Sequence, residues 1–355
     1  MKSNPCACCT ETSKRARLPI NERSERWIVG FQATGTDRIP IVSTKRSFRD
    51  RLGLWKARWG IGRMHYRIKP GLYGVGRPDS DSPVFVTANY KMSFDALRFE
   101  LDGIDGWILV LDTKGINVWC AAGKGTFSTE TLVRQIAETD LDRIVSHRTL
   151  ILPQLGAPGI AAHRVKTATG FTVKYGPVRA RHLKHFLNNS LEATKDMRTV
   201  TFRFNERLAL IPVEFVKALF LLPLISIALI LISLIRGQVL SVRILQDLSL
   251  FMAAILAGTI AVPILLPWIP FRSFTLKGWL LGLLVALSGS FLFGMRSSDW
   301  ISNLLLLPPL SAFLALNFTG STTFTSLSGV QKEILYAIPA VVVSAIGGVV
   351  IKLVL

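Results

Sequence analysis

The sequence contains few cysteines and few acidic residues. Only 4 of its 355 residues are cysteine, which excludes a secreted scaffold held together by disulfides. Its 23 Asp and Glu residues are outnumbered by 42 Lys and Arg residues, and the formal net charge is +19. Such a charge favours anionic partners. Because no nucleic-acid-binding motif is readable, we expect membrane lipid or an anionic ligand and no nucleic acid.

A secretory signal is also missing, since residues 1–30 contain no continuous apolar core. We therefore expect the polar half of the chain to remain in the cytoplasm, where thiols stay reduced. Cys6, Cys8 and Cys9 lie together near the N terminus, and Cys120 lies far from them. This is not the spacing of a disulfide framework.

Long apolar runs are absent from residues 1–210 and dominate the rest of the chain. The runs are approximately 213–235, 248–269, 276–295, 300–318 and 334–354. Each is near the ~20 residues that a helix needs to cross a bilayer. Residues 210–355 are therefore predicted to form an all-α transmembrane domain of five helices.

Charge distribution predicts how these helices are oriented. Only 8 of the 42 Lys and Arg residues follow residue 210. Because basic segments stay inside, we expect a multi-pass protein of the cytoplasmic (inner) membrane, with the leading domain in the cytoplasm and the C terminus outside. Asp247, Asp299 and Glu333 all lie near predicted span ends, so no buried charged relay is expected, and an anchor is favoured over a transporter. Gly278 and Gly282 provide a small face for helix packing.

Between residues 66 and 205, apolar strand patterns alternate with helical patterns. The predicted strands are 83–87, 107–111, 150–152 and 171–175, and the predicted helices are 92–101, 129–138, 159–168 and 180–187. Repeated strand–helix units with apolar strands predict an α/β fold, a parallel-sheet domain of Rossmann-like or TIM-like type covered by helices. Ligands of such sheets bind at the carboxyl ends of the strands.

Two segments precede this domain. Residues 1–44 are polar and rich in proline, and they predict a flexible arm. Residues 45–65 contain a basic amphipathic helix, because four apolar residues fall on one helical face among basic neighbours. The apolar residues are Phe48, Leu52, Trp55 and Trp59. This face either lies in the membrane interface or packs onto the protein's own core or transmembrane part.

One unusual segment follows the second predicted strand. It consists of Asn117, Val118, Trp119, Cys120, Ala121, Ala122, Gly123 and Lys124. Asn117 is suited to cap a first helical turn. The small residues after Cys120 predict a bare surface where a large flat ligand can approach the thiol. The alternative is an ordinary small buried cysteine.

This segment resembles the cap-helix motif of the corrinoid proteins of bacterial mercury methylation, the HgcA family. The resemblance also covers 58–73, 82–98, 107–127, 152–159, 175–180, 317–329 and the membrane tail. The soluble part is similar to the corrinoid domain of the corrinoid iron–sulfur protein of the acetyl-CoA pathway as well. The resemblance implies that residues 66–205 form a corrinoid-binding domain for a cobalamin-type cofactor, with residues 117–124 at the cofactor.

By the same resemblance, Cys120 is the lower axial ligand of the cobalt and the catalytic residue. Thiolate is a soft and strongly donating ligand. It should weaken the cobalt–carbon bond opposite to it and stabilise cobalt(III) over cobalt(I), so that a strong reductant is needed. The implied enzyme is a corrinoid-dependent methyltransferase. It moves a cobalt-bound methyl group to mercury(II), delivered as a thiolate complex, and forms methylmercury, while a methyl-folate-type pathway supplies the methyl group.

The chain lacks its own means of reducing the cobalt. With Cys120 committed, Cys6, Cys8 and Cys9 are too few for an iron–sulfur cluster. The expected partner is therefore a small ferredoxin with two four-iron clusters. The three N-terminal cysteines either pass mercury(II) toward the cobalt or have no specific role. No Asp-x-His-x-x-Gly motif is present, which argues against a histidine-ligated corrinoid, and His182 with His185 lacks a third metal ligand.

Further contacts to the corrinoid are expected at the strand ends. They are Thr87, Asn89, Thr113, Gly156 and Tyr175. Two other functions remain open. One is a corrinoid methyl carrier of a one-carbon or acetyl-CoA-type pathway with a different acceptor. The other is a membrane protein without enzymatic activity that carries a sensory α/β domain.

Overall fold

The computed structural model describes residues 25–35, 37–237, 242–318 and 327–355. The strands in these residues are β1 (Ile28–Ala33), β2 (Arg38–Val42), β3 (Gly71–Val75), β4 (Val84–Ala88), β5 (Gly106–Leu111), β6 (Thr149–Leu152) and β7 (Thr172–Tyr175). The helices of the first part are α1 (Phe48–Arg58), α2 (Lys91–Arg98), α3 (Val118–Gly123), α4 (Thr129–Glu138), α5 (Leu141–Ile144), α6 (Ala162–Thr169), α7 (Leu183–Asn188) and α8 (Lys195–Arg198). Those of the second part are α9 (Phe204–Leu208), α10 (Ile211–Leu219), α11 (Leu221–Ile235), α12 (Val242–Leu256), α13 (Val262–Leu265), α14 (Phe274–Leu292), α15 (Ser297–Asn317) and α16 (Leu327–Val354).

The strands form one mixed, mostly parallel sheet in the order β1-β2-β3-β5-β4-β6-β7. Strand β4 pairs in parallel with β5 and β6, and β6 pairs in parallel with β7. The pairs β1–β2 and β3–β5 are antiparallel. The predicted α/β fold with a largely parallel sheet is confirmed, and the carboxyl ends of β4 to β7 lie at one edge.

Three strands that the sequence did not predict extend this sheet. Strands β1 and β2 pair as an antiparallel hairpin, so the expectation of a flexible arm over residues 1–44 is wrong for these strands, while residues 1–24 lie outside the described part. Pro40 is tolerated inside β2 because pairing with β3 begins only at Ile41. In β3, Gly74 weakens the strand signal, yet a Cβ atom there would lie 2.5 Å from Ile41 Cδ1.

The sheet has an apolar core on each face. Strand β5 is buried along its whole length and divides its side chains between the two cores. Trp107, Leu109 and Leu111 face the core covered by α4 and α6, whereas Ile108 and Val110 face the core covered by α2 and α7. This continuous burial is the reason that β5 reads as an unbroken apolar run.

The second part of the chain is a bundle with five helices long and apolar enough to cross a membrane. They are Phe204–Ile235, Val242–Leu265, Phe274–Leu292, Ser297–Asn317 and Gly329–Val354. The predicted number of spans is confirmed by length and composition. Gly278 and Gly282 lie where α14 meets α15, and Cβ atoms there would lie 2.5 Å from Ser311 O and 2.6 Å from Pro308 Cα. Small residues at these positions therefore bring the two helix backbones together, as expected.

The bundle buries two charged residues, Asp247 and Lys352, near the ends of predicted spans. Lys352 Nζ lies 2.9 Å from an Asp247 carboxylate oxygen and 3.8 Å from Asp299 Oδ1. Lys352 and Asp247 are buried. Burial of this ion pair was not predicted, because helix packing at this end brings together charges that are far apart in sequence. These three charged residues lie at one end of the bundle, near the first residues of α12 and α15, and do not extend across it.

Helix α1 is attached to α2 by buried ion pairs. Lys91 Nζ lies 3.2 Å from Asp50 Oδ1 and 2.7 Å from Asp95 Oδ2. The fully buried Arg98 places Nη2 2.9 Å from Asp50 Oδ1 and Nε 2.7 Å from Asp95 Oδ1. Burial alone would raise the pKa of Asp50, but hydrogen bonds from Ser47 and the charges of Arg98 and Lys91 outweigh it and lower this pKa to about 2.

We expect Asp50→Asn to lower the free energy of unfolding by about 2 kcal/mol near pH 7. Because the pKa of Asp50 is lower in the folded chain than in the unfolded chain, its contribution is complete above about pH 4 and is lost as the pH falls through about 2. Denaturation of both proteins in detergent across this pH range measures the difference. A difference that stays constant from pH 7 to pH 2 would contradict the assignment.

Candidate functional site

Helix α3 begins a few residues after the carboxyl end of β5 and places Cys120 in its first turn. The side chain of Asn117 caps this helix, because its Oδ1 accepts a hydrogen bond of 2.9 Å from the backbone N–H of Cys120. The capping role predicted for Asn117 is confirmed. The thiol of Cys120 is exposed and forms no disulfide, so the alternative of an ordinary buried cysteine is excluded.

The surface around Cys120 differs in part from the expectation. Ala121 and Ala122 are buried against the core and do not form the bare surface predicted beside the thiol. Residues 121 and 122 lie on the side of α3 that faces the core. Trp119, Gly123 and Lys124 are the exposed neighbours of Cys120. The exposed part of this segment therefore combines the Cys120 thiol with one large aromatic side chain and one glycine.

A short 3-10 helix at Gln154–Gly159, after β6, packs against α3. A Cβ atom at Gly159 would collide with the carbonyl oxygen of Phe127 and lie 3.1 Å from Ala122 Cα. A Cβ atom at Gly156 would lie 2.5 Å from Phe127 Cε1. Gly156, predicted to contact the corrinoid, is thus buried in packing against Phe127. Gly159 and Phe127 position α3, and their roles depend on contacts that are distant in sequence.

Asn89 and Thr113 hold the loop that leads into α3. Asn89 Oδ1 accepts hydrogen bonds from Thr113 N at 3.1 Å and Gly115 N at 2.9 Å. Its Nδ2 donates to Asp112 Oδ1 at 3.0 Å. Both Asn89 and Thr113 are buried. Their polar atoms are therefore used within the loop, and a direct contact of these two residues with a corrinoid stays a prediction.

Beside Trp119 a cavity of about 350 Å³ opens at the strand ends. Thr87 lines this cavity, as its predicted position at the end of β4 requires. Tyr175 is half-buried, and its hydroxyl donates a 2.7 Å hydrogen bond to Ile160 O, while burial raises its pKa. The cavity is lined by Phe85, Val86, Thr87, Ser93, Ala96, Leu97, Asn117, Val118, Trp119, Ile151, Leu152, Pro153, Leu155, Gly176, Pro177, Val178, Ala180 and Leu183.

The described residues bring no cluster of candidate metal ligands to this site. Cys6, Cys8 and Cys9 lie outside the described residues. Where the structure describes the chain, no three His, Cys, Asp or Glu side chains are close enough to hold a metal ion. His182 lies beside Arg181, and burial together with the charges of Arg181 and Arg179 lowers its pKa. Among the residues that the structure describes, no third His, Cys, Asp or Glu side chain joins His182 and His185.

A further link joins this edge of the sheet to the membrane helices. Arg179, in the loop after β7, forms an ion pair with Glu206 of α9 and donates a 2.9 Å hydrogen bond to Thr201 Oγ1. Glu206 also accepts a hydrogen bond of 2.7 Å from the backbone N–H of Arg203. Sequence patterns gave no signal for this contact, because its partners are surface residues of opposite charge with no fixed spacing.

Known proteins resemble the part of the chain that contains this site. Residues 61–187 match the model of the CO dehydrogenase/acetyl-CoA synthase delta subunit family. An acetyl-CoA decarbonylase/synthase complex subunit gamma of Methanopyrus kandleri is 37% identical over 122 residues, which cover 34% of this chain and 26% of that protein. The corrinoid/iron–sulfur protein large subunit of Moorella thermoacetica is 28% identical over 127 residues, which cover 35% of this chain and 28% of that protein.

These similarities relate the sheet domain to corrinoid proteins of the acetyl-CoA pathway type. The chain spans about a quarter of the length of these relatives. The matched residues include α3 and the loops at the strand ends. They exclude the β1–β2 hairpin, α1 and the helical bundle.

Proposed function

We propose that this chain is a membrane-anchored corrinoid-dependent methyltransferase in which the thiolate of Cys120 would hold the cobalt of the cofactor. The observation that carries the proposal is the exposed thiol of Cys120 in the first turn of α3. It lies within residues 61–187, which match the CO dehydrogenase/acetyl-CoA synthase delta subunit family. Free cysteine is usually buried, whereas Cys120 is exposed to solvent at the edge where ligands of parallel sheets bind.

The residues present fit such a cofactor. Cys120 offers a soft donor atom at an exposed position, and Gly123, about one helical turn later, carries no side chain. The adjoining cavity of about 350 Å³ is mostly apolar and can take only part of so large a ligand. The corrin ring would therefore lie outside the cavity, against the exposed face of α3.

A bound corrinoid would supply methyl-transfer chemistry at its cobalt, with electrons from a partner protein. The chain's own residues position the ligand atom for this chemistry. Asn117 fixes the first turn of α3 through the backbone of Cys120, and Asn89 fixes the loop before it. Such support restricts the motion of a metal ligand.

Mercury(II) is the acceptor that we propose for the methyl group. The support is the resemblance of residues 117–124 to the motif of the mercury-methylating corrinoid proteins, together with the preference of soft mercury(II) for thiolate-rich surroundings. A methyl-folate-type pathway would supply the methyl group. A small ferredoxin with two four-iron clusters would supply electrons, since no described residues could hold an iron–sulfur cluster.

A second candidate is a methyl carrier that serves another acceptor in a one-carbon or acetyl-CoA-type pathway. The relatives named as acetyl-CoA decarbonylase/synthase subunits favour it. Both functions use the same cobalt site, so the acceptor alone distinguishes them.

An anaerobic methylation assay tests this proposal. The full chain, loaded with cobalamin in detergent, is given methyl-folate-type donor extract and mercury(II), with or without the reduced ferredoxin. Methylmercury formation that requires both corrinoid and ferredoxin is expected. Corrinoid binding without methylmercury would favour the second candidate. Absence of bound cobalt would contradict both and favour a sensory domain.

The bundle would anchor the sheet domain at the cytoplasmic face of the inner membrane, with the C terminus outside. The support is that most Lys and Arg residues precede residue 210 and that five candidate spans follow. A reporter enzyme that works only outside the cytoplasm should be active when it is fused after Leu355. Activity of a reporter that works solely in the cytoplasm would contradict this orientation.

A further inference from the structure

Helix α1 turns its polar and small residues toward the protein. Asp50, Gly53 and Ala57 fall at i, i+3 and i+7, on one helical face. Asp50 is buried in the ion pairs with α2, and Ala57 is fully buried. A Cβ atom at Gly53 would lie 2.6 Å from the hydroxyl oxygen of Tyr66. This face of α1 therefore packs against the sheet domain, and the helix cannot rotate to present its other face there.

The opposite face of α1 is apolar and exposed. Phe48 is 78% exposed, Leu52 39% and Trp55 53%. The loop that follows α1 continues this surface with Ile61, 56% exposed, and Met64, 70% exposed. We call Phe48, Leu52, Trp55, Ile61 and Met64 the α1 surface. The sequence left open whether the apolar face of α1 packs onto the protein itself, and the structure excludes such packing for these three helix residues.

Basic side chains surround the α1 surface. They are Lys45, Arg46, Arg49, Arg51, Lys56 and Arg58, all exposed. A helix with exposed aromatic residues on one side and basic residues along its flanks matches anionic lipid headgroups, which take the apolar side into the acyl boundary and pair with the cations. No acidic residue of α1 opposes this pairing, because Asp50 is buried in the ion pairs with α2.

The position of α1 relative to the first candidate span also favours a lipid surface. A Cβ atom at Gly60, two residues after α1, would lie 3.8 Å from Val213 Cγ2 in α10. The span Phe204–Ile235 has 32 residues, more than the ~20 needed for the hydrocarbon region. If its C-terminal residues cross the bilayer, Val213 lies near the headgroups. The loop after α1 would then be at the same depth.

We propose that the α1 surface inserts into the interface of an anionic bilayer and holds the sheet domain against the membrane. The same loop continues to the candidate site, since a Cβ atom at Gly115 would lie 3.4 Å from Arg67 Cβ and 3.5 Å from Met64 O. Gly115 precedes the cap residue Asn117. Insertion of the α1 surface therefore keeps Cys120 close to the membrane surface, and this inference does not depend on which cofactor or acceptor the site uses.

Collision accessibility of a nitroxide label tests the proposal. The full chain carries Cys6→Ser, Cys8→Ser, Cys9→Ser and Cys120→Ala, and a single label is introduced by L52C. The matched control carries the label through E138C, at an exposed position of α4 away from the α1 surface. Both proteins are placed in nanodiscs of phosphatidylcholine with phosphatidylglycerol. Oxygen concentrates in the acyl region, whereas a nickel chelate stays in water.

The L52C label should collide more often with oxygen than with the nickel chelate, and the E138C label should show the reverse. Greater nickel accessibility at L52C would overturn the proposal in favour of a solvated surface. Protection from both reagents would overturn it in favour of a protein contact, either a second copy or a partner. If the L52C protein does not fold by circular dichroism, quenching by brominated lipid is compared between the otherwise unaltered chain and W55F. Equal quenching of the two proteins would overturn the proposal.

Discussion

Cys120→Ala should abolish methyl transfer while leaving the fold unchanged. The thiol is exposed, so its removal takes no packed atom from the core. The helix cap survives as well, because Asn117 accepts its hydrogen bond from the backbone N–H of residue 120. Loss of even an outer partner of a metal ligand commonly costs about 10- to 100-fold in activity. Removal of the ligand itself should therefore lower methylmercury formation by at least about 100-fold.

Two further substitutions separate the ligand's charge from its mere presence. Cys120→His can still ligate cobalt, but imidazole donates less strongly than thiolate and needs more room beside Trp119 and Gly123. Cys120→Met offers only a neutral thioether and should fail. Methylmercury formation and the visible spectrum are measured for each variant at matched protein and cobalt content, with thermal unfolding as the control for folding. Wild-type activity and an unchanged spectrum in Cys120→Ala would disprove the thiolate-ligand mechanism.

Local patterns were sufficient to predict the elements nearest to the site. Strands β4 to β6 are mostly buried apolar runs, and α4 is an amphipathic helix with the predicted bounds Thr129–Glu138. The cap on α3 depends on residues only three positions apart, Asn117 and Cys120. In each case the signal lies within a few neighbouring residues. Hydrophobic spacing and capping chemistry therefore sufficed.

The remaining features depend on contacts between residues far apart in sequence. Asn89 looked like a ligand contact because it ends a strand, yet its oxygen is taken by backbone N–H groups of the loop after β5. The face of α1 that points inward is determined by Arg98 and Lys91, which supply the charges that bury Asp50. Spacing within α1 identifies two faces, but it cannot tell which of them a neighbouring element will cover.

Gly159→Ala should displace α3 and weaken cofactor binding although residue 159 carries no reactive group. The added methyl group would collide with the carbonyl oxygen of Phe127 and press on Ala122 Cα at 3.1 Å. Both obstacles are backbone atoms, which cannot rotate away as a flexible side chain can. Overpacking of a tight site typically costs about 1–3 kcal/mol. We expect a lower midpoint of thermal unfolding. We also expect the affinity for the corrinoid to fall roughly tenfold, since about 1.4 kcal/mol corresponds to that factor.

Gly30→Ala in β1 is the matched control, because a Cβ atom at Gly30 has no neighbouring atom within 4 Å. This variant should bind corrinoid and unfold like the unaltered chain. The visible spectrum of Gly159→Ala supplies a readout that a general loss of stability would not move, since a displaced Cys120 alters the ligand field of the cobalt at temperatures where the chain is fully folded. If Gly159→Ala binds cobalt with normal affinity and an unchanged spectrum, then α3 does not depend on the Gln154–Gly159 segment for its position, and the site tolerates more movement than its backbone packing implies.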